Sequence, residues 1–231
     1  MKIISESDQT FQCDITAPCF AYLAENEVEF IKKSKTMVAF RKGENLTKQG
    51  AFASYVLFII DGVVKQYIEG DITKSHNLRI FKTGEFVGLS AIYNENRFNY
   101  SASALTDTRV YLIEKEVMLH VLENNALFAT KIMKNYCRQN NFLFTALQNI
   151  IYKQMNGRMA DALLYLDEEK YKDESIFPLL SRKDIADFAG TSTESAVKIL
   201  KSFERDEIIK LDEKEIFVLQ KDKLLEISKR G

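Results

Sequence analysis

The sequence predicts an α+β chain in three parts: an N-terminal antiparallel β domain of jelly-roll or sandwich type, one long helix, and a compact C-terminal unit of short helices and a hairpin. Three observations carry that reading. Six of the nine glycines fall between residues 43 and 88, where they separate short runs rich in Val, Ile, Phe and Tyr. From about residue 115 to 166 there is no proline and a single glycine, Gly157, while the apolar residues pass from alternating to helical spacing. Beyond Pro178, two helix-start signatures stand ten residues apart.

In the first part, strands read at Thr36–Phe40, Tyr55–Ile60, Val63–Ile68, Asn77–Phe81, Ser101–Leu105 and Arg109–Ile113. Turn signals every eight to fourteen residues favour a sandwich or jelly roll over alternating β and α units. Tyr55–Ile60 and Val63–Ile68 flank Asp61-Gly62, which supplies the positive φ angles of a tight primed turn, so these two runs are expected to pair as a hairpin.

In the second part Phe128, Ile132, Tyr136, Leu143, Leu147 and Ile151 follow steps of four or seven and lay one apolar stripe along a helix of about seven turns. A helix of this length offers more stripe than one compact β domain covers. Phe128, Ile132, Tyr136, Leu143 and Leu147 are therefore expected to form the seam of a homodimer. The polar segment Tyr171–Pro178 reads as a loop. The expected division is 1–124 for the β domain, 125–152 for the dimerisation helix and 153–231 for the C-terminal unit.

That last unit carries the chemistry. Ser181-Arg182-Lys183-Asp184 and Thr191-Ser192-Thr193-Glu194 both have the Ser/Thr-x-x-Asp/Glu form that caps orphan backbone N–H groups reciprocally. Between them Ile185–Ala189 makes a short helix ending at Gly190, which takes the left-handed conformation readily. Two short helices on a glycine turn make a helix-turn-helix. In the second helix Ala196, Ile199, Leu200 and Phe203 recur at i, i+3, i+4 and i+7 and are assigned to the buried face. Thr193, Glu194, Val197, Lys198 and Lys201 remain outside. In a DNA major groove an apolar side chain meets a thymine methyl, a carboxylate accepts from cytosine N4, and a lysine donates to guanine or to phosphate. Glu194, Val197 and Lys198 are thus the expected base readers, with Arg182, Ser192, Thr193 and Lys201 beside them as base or phosphate contacts. The β-prone runs Ile208–Leu211 and Ile216–Leu219 add a hairpin wing.

Charge gives this reading no general support. The net charge is −1, and residues 181–231 hold eleven Lys/Arg against eleven Asp/Glu, so attraction to phosphate rests on local placement. There is no run of about 18 apolar residues, and the polar start Met1–Phe11 lacks the layout of a signal peptide, which points to the cytoplasm and no membrane. Cys13, Cys19 and Cys137 suit reduced thiols better than a disulfide framework, and no pair of them has a metal-binding spacing. No paired acid and base, metal-ligand cluster, phosphate-cradling glycine loop or nucleophile motif points to an enzyme, and no catalytic residue is assigned. A ligand-sensing module that acts on a protein partner without touching DNA remains an alternative.

The arrangement resembles the cyclic-AMP receptor protein / fumarate-nitrate regulator (CRP/FNR) family of transcription regulators. The marks are Lys42-Gly43-Glu44, Phe58–Gly62, Gly84-Glu85-Phe86-Val87-Gly88, and Ser181–Ala186 leading to Glu194 and Lys198. The resemblance implies a cyclic-nucleotide-binding-like β-roll sensor, a long dimerisation helix and a winged helix-turn-helix on a pseudo-palindromic operator of double-stranded DNA, with RNA polymerase as a further partner. It places a small-molecule effector pocket at Phe86, Gly88, Leu89, Ser90, Tyr100 and Ser101.

The departures are specific. Lys198 stands where the family usually has Arg and lacks the fork that grips guanine, and Thr193 stands where cyclic-AMP receptors carry another Arg, so their operator does not transfer. Leu89 and Tyr100 replace the Glu and Arg that hold the ribose and the phosphate, which implies an effector other than cyclic AMP. Arg97, in the neighbouring loop, is the one candidate for a substitute cation, against the plainer reading of a surface residue. A haem-sensing variant would draw its axial ligand from His76 or His120, and a redox variant would use Cys13 and Cys19, which have no evident cationic partner in the sequence. The three cysteines fall short of the four thiolates of an iron–sulfur cluster.

Overall fold

The computed structural model describes residues 2–3, 20–70, 75–93 and 96–231, so Cys13 and Cys19 lie outside the described residues. The chain divides into two units, Met1–Glu69 with Arg79–Asn140, and Gly70–Leu78 with Asn141–Gly231.

The first unit is built on β1 (Lys2–Ile3), β2 (Lys35–Phe40), β3 (Asn45–Thr47), β4 (Tyr55–Asp61), β5 (Val64–Glu69), β6 (Ser75–Phe81, which enters it at Arg79), β7 (Phe86–Val87), β8 (Ser101–Ala104) and β9 (Thr108–Glu114). They form two sheets, in the orders β1-β2-β9-β4-β7 and β3-β8-β5-β6. α1 (Glu25–Ser34), α2 (Lys115–Asn124) and the start of α3 (Ala126–Tyr152) complete the unit. The sequence reading missed α1, whose first turn is closed by the Glu27 carboxylate accepting the Ala24 N–H at 2.8 Å.

The expected hairpin of Tyr55–Ile60 with Val63–Ile68 is not formed. β4 lies between β9 and β7, whereas β5 lies between β8 and β6 in the other sheet, so Asp61-Gly62 carries the chain from sheet to sheet. The reason is in β4 itself. Val56 and Phe58 join a core shared with the helices, while Leu57 and Ile59 join the core of Val38, Val64, Phe81 and Val110. A strand apolar on both faces belongs inside a sheet covered on both sides. Glycine is required at the corner, because Gly62 has φ +112 and a Cβ there would stand 2.5 Å from Thr108 Oγ1.

α2 and α3 part at Asn125, whose Oδ1 accepts the Phe128 N–H at 2.8 Å and caps the longer helix. This helix has 27 residues and a length of about 40 Å. Its first turns correct the expected seam. Phe128 is 0% and Ile132 8% exposed, both within the β domain's own core, where Phe128 stacks on Phe20 at 6.3 Å. One chain already covers them. Tyr136, Leu143 and Leu147, at 44%, 37% and 52%, stand exposed on the same chain.

The second unit holds α4 (Met155–Glu168), α5 (Arg182–Phe188), α6 (Thr193–Arg205), the hairpin of β10 (Ile209–Asp212) with β11 (Glu215–Val218), and α7 (Lys221–Arg230), another helix the sequence reading missed. Its core takes Met159, Leu163 and Leu166 from α4, Ile185 from α5, Leu200 and Phe203 from α6, and Leu224 from α7. Lys153, between α3 and α4, donates to Asp161 at 2.7 Å and to Ser228 at 3.0 Å, and so ties the junction to α4 and α7.

Candidate functional site

The helix-turn-helix forms where the sequence puts it. Ser181 Oγ accepts the Asp184 N–H at 3.1 Å while Asp184 Oδ2 accepts the Ser181 N–H at 2.8 Å, which closes the start of α5 as a capping box. Gly190, at φ +59, turns the chain, and the Thr191 N–H reaches back to the Ala186 carbonyl at 3.0 Å. The second cap falls one residue later than expected. Ser192, not Thr191, accepts the Ser195 N–H at 3.1 Å. Ser192 is thereby engaged in the helix start, and Glu194 takes no part in the cap.

α6 buries Ala196, Ile199, Leu200 and Phe203, as its spacing predicts. Thr193, Glu194, Lys198 and Lys201 are exposed and Val197 is half-buried between them. Lys198 and Lys201 have no ion pair among the described residues, whereas Lys183 is held by Asp187 at 2.7 Å. The face that results offers an acceptor, a methyl-bearing surface and two cations within three turns. Arg182 reaches the wing: its Nη2 donates to the Glu213 carbonyl at the tip of the β10–β11 turn, at 2.8 Å. Partial burial lowers its pKa, opposed by the nearby Glu204, and it positions the wing.

A residue the sequence reading passed over ties this head to the preceding helix junction. Arg158 of α4 donates through Nε to Ala189 O at 2.9 Å, through Nη2 to Gly190 O at 3.3 Å and through Nη1 to Lys153 O at 3.0 Å. Its signal was an arginine at the start of an otherwise apolar helical run.

The expected effector pocket is only partly assembled. Gly88, with φ +87, donates its N–H to Tyr100 Oη at 2.8 Å, and Leu89 packs partly buried beside the helix-side core. Phe86 is a correction: it is a core residue against Phe58 at 5.0 Å and Phe20 at 5.6 Å. Ser90 Oγ is enclosed and has no hydrogen-bond partner among the described residues. Ser101 is fully buried and donates to Glu69, while accepting the Gln49 N–H at 2.9 Å. Arg97, the substitute cation, donates to the Gly50 carbonyl at 2.7 Å.

Neither histidine fits a haem. His76 lies beside a cavity of about 80 Å³ lined also by Arg158 and Tyr165, well short of the roughly 300 Å³ of small-molecule sites. His120 is exposed on α2, edge-on to Phe30 at 5.3 Å. Among the described residues no group of three His, Cys, Asp or Glu is placed to hold a metal, and no helix is long and apolar enough to cross a membrane.

Comparison with known proteins follows this layout. Residues 37–125 match the family described as cyclic nucleotide-binding domain, and residues 157–227 the Crp-like helix-turn-helix domain. The chain is 20% identical to the CRP-like cAMP-activated global transcriptional regulator of Mycobacterium tuberculosis, over 90% of this chain and 95% of that one. It is 22% identical to the cyclic AMP receptor protein of Thermus thermophilus, over 84% and 89%. Among solved structures, FixK2 of Bradyrhizobium japonicum shares the fold with a TM-score of 0.73 at 19% identity, covering 84% of this chain and 96% of that one.

Proposed function

The chain belongs to the CRP/FNR family of transcription regulators, and from that premise we propose that it acts as a homodimer that reads a pseudo-palindromic operator in the cytoplasm, under an input to its β domain other than cyclic AMP. The observation that carries the reading is the free outer face of α6. Among the described residues Glu194, Val197 and Lys198 are not taken up by caps or ion pairs, and the opposite face of the same helix is locked into the core. Glu194 accepts from a cytosine N4, Val197 meets a thymine methyl, and Lys198 donates to a guanine. Thr193 and Lys201 flank them as backbone contacts, and Arg182 holds the wing in reach of the phosphates.

Dimerisation is supported by what α3 leaves uncovered. Met133, Tyr136, Leu143, Leu147 and Ile150 are all exposed and recur at heptad spacing, a seam that a second copy of the same helix fills. Two heads related by a twofold axis read half-sites about one helical turn apart. Contact with RNA polymerase is part of the same proposal, on the family's precedent.

Selection of bound duplexes from a random pool, followed by mobility-shift titration, tests the reading. The expected product is a pseudo-palindrome with half-site centres about 10 base pairs apart. Absence of any enriched sequence at low salt would remove the DNA-reading function.

A further inference from the structure

We propose that the β domain's ligand cradle is filled by the chain's own side chains, Tyr100 on the Gly88 amide and Glu69 on the Ser101 hydroxyl, and so excludes cyclic nucleotides and any other ligand anchored there by a phosphate. The inference deepens the functional reading above by naming the class of input its sensor refuses.

A buried phosphate needs free donors and a cation. Two of the donors here, the Gly88 N–H and the Ser101 hydroxyl, are already matched, and Ser90 Oγ is the enclosed hydroxyl left over. The Gly88 N–H bonds Tyr100 Oη at 2.8 Å, and the Phe98 ring lies so close that a Cβ on Gly88 would stand 2.6 Å from Phe98 Cε1. The Tyr100 hydroxyl and the Phe98 ring therefore both crowd Gly88. Burial pushes the Tyr100 pKa up to about 12, so the phenol stays neutral and protonated at physiological pH.

Ser101 is matched on both sides, donating to a Glu69 oxygen and accepting from the Gln49 N–H. The other Glu69 oxygen takes Lys48 Nζ at 2.6 Å, and Gln49 Oε1 accepts the Glu69 N–H at 2.9 Å. Hydrogen bonds from Lys48 and then from Ser101 hold the Glu69 carboxyl below its usual range. A charged carboxylate thus sits on the Ser101 hydroxyl, and it would repel a phosphate brought to that same hydroxyl.

The cations near the cradle are also engaged. Arg79 pairs with Glu85 while lying over the Phe81 ring at 4.3 Å, Arg97 donates to the Gly50 carbonyl, and Lys48 serves Glu69. The Leu89 side chain, next to Gly88, offers no polar atom to a ribose. The protein has kept the fold of a nucleotide sensor and supplied the occupant internally.

Calorimetric titration of the full chain with cyclic AMP and cyclic GMP, up to about 1 mM, is the direct test. No saturable heat is expected from the unaltered protein, and saturable binding would overturn the proposal. The paired change Tyr100→Arg with Glu69→Gln supplies a cation and removes the carboxylate. Cyclic AMP binding at least about tenfold tighter than the unaltered limit is expected, and no gain would place the exclusion elsewhere. Should that variant fail to fold, Tyr100→Phe keeps the ring and removes the acceptor. Hydrogen exchange at the Gly88 amide should then quicken by about tenfold or more, and an unchanged rate would remove Tyr100 from the role assigned to it. None of these measurements uses DNA, so a chain that selects no operator would defeat the functional reading and leave this inference standing.

Discussion

Lys198 and Lys201, one turn apart on the outer face of α6, are assigned different work, and the difference is measurable. As a base reader, Lys198 contributes discrimination: Lys198→Ala should relax the preference at one base pair, a loss of about 1–3 kcal/mol against the favoured base. As a phosphate contact, Lys201 contributes affinity alone: Lys201→Ala should weaken all sequences alike and flatten the salt slope by about 1 per protomer contact. Selection repeated with each variant separates them, and the assignment falls if Lys201→Ala alone changes the selected sequence. His76 makes a second case at this scale. Its desolvation among Arg158, Asp187 and Gly190 lowers its pKa from 6.5, the Asp187 interactions oppose the shift and Arg158 adds to it. The folded state therefore favours the neutral ring. This contribution to stability is complete above about pH 6.5 and is lost as pH falls through the lower folded value. Denaturant midpoints should fall between about pH 7 and 5, and His76→Gln should flatten that fall. An equal fall in both proteins would assign it to other groups.

The elements were legible in the sequence wherever one periodicity met one environment. The spacing of Ala196, Ile199, Leu200 and Phe203 assigned the inner face of α6 correctly, because a short helix on a single core has one dry side. Two consecutive hydroxyl residues fit the same capping pattern, so Thr191 and Ser192 were not separable without the backbone. The stripe on α3 was visible but its partners were not: a run of apolar residues does not say where a sheet stops covering it. Likewise Asp61-Gly62 announced a turn without saying that the next strand leaves for the other sheet. The stripe divides at Ile132, and this gives the prediction for this scale. Phe128→Ala empties a fully buried site and should cost about 3–5 kcal/mol of β-domain stability while leaving the native protein dimeric. Leu143→Asp with Leu147→Asp should do the reverse, giving a monomer by sedimentation with the β-domain core intact. A dimer that survives the paired aspartates would move the seam off α3.

At the scale of the whole molecule the site was least legible, since it depends on which groups meet. Tyr100 read as the loss of a phosphate ligand, and only the fold brings its hydroxyl to the Gly88 amide twelve positions earlier. Charge behaves the same way. A net charge of −1 leaves no long-range attraction to DNA, so binding rests on the few cations that the fold leaves unpaired on the reading face. Lys183 is held by Asp187, Arg182 has a guanidinium N–H on the Glu213 carbonyl, and Lys198 and Lys201 have no ion pair among the described residues. With Lys198 and Lys201 both carried into the counterion atmosphere of the duplex by each protomer, one to a base edge and one to a phosphate, counterion release predicts a slope of log affinity against log salt near −4 for the dimer. The protein should therefore hold its operator across a wider range of salt than a strongly basic reader, and its discrimination should come mainly from base edges. Fluorescence titrations of the selected operator and of a scrambled duplex over a salt series check both halves. Slopes near −4 for each, with a constant ratio between them, are expected; a slope of about −8 or steeper would mean that cations outside α6 carry the binding.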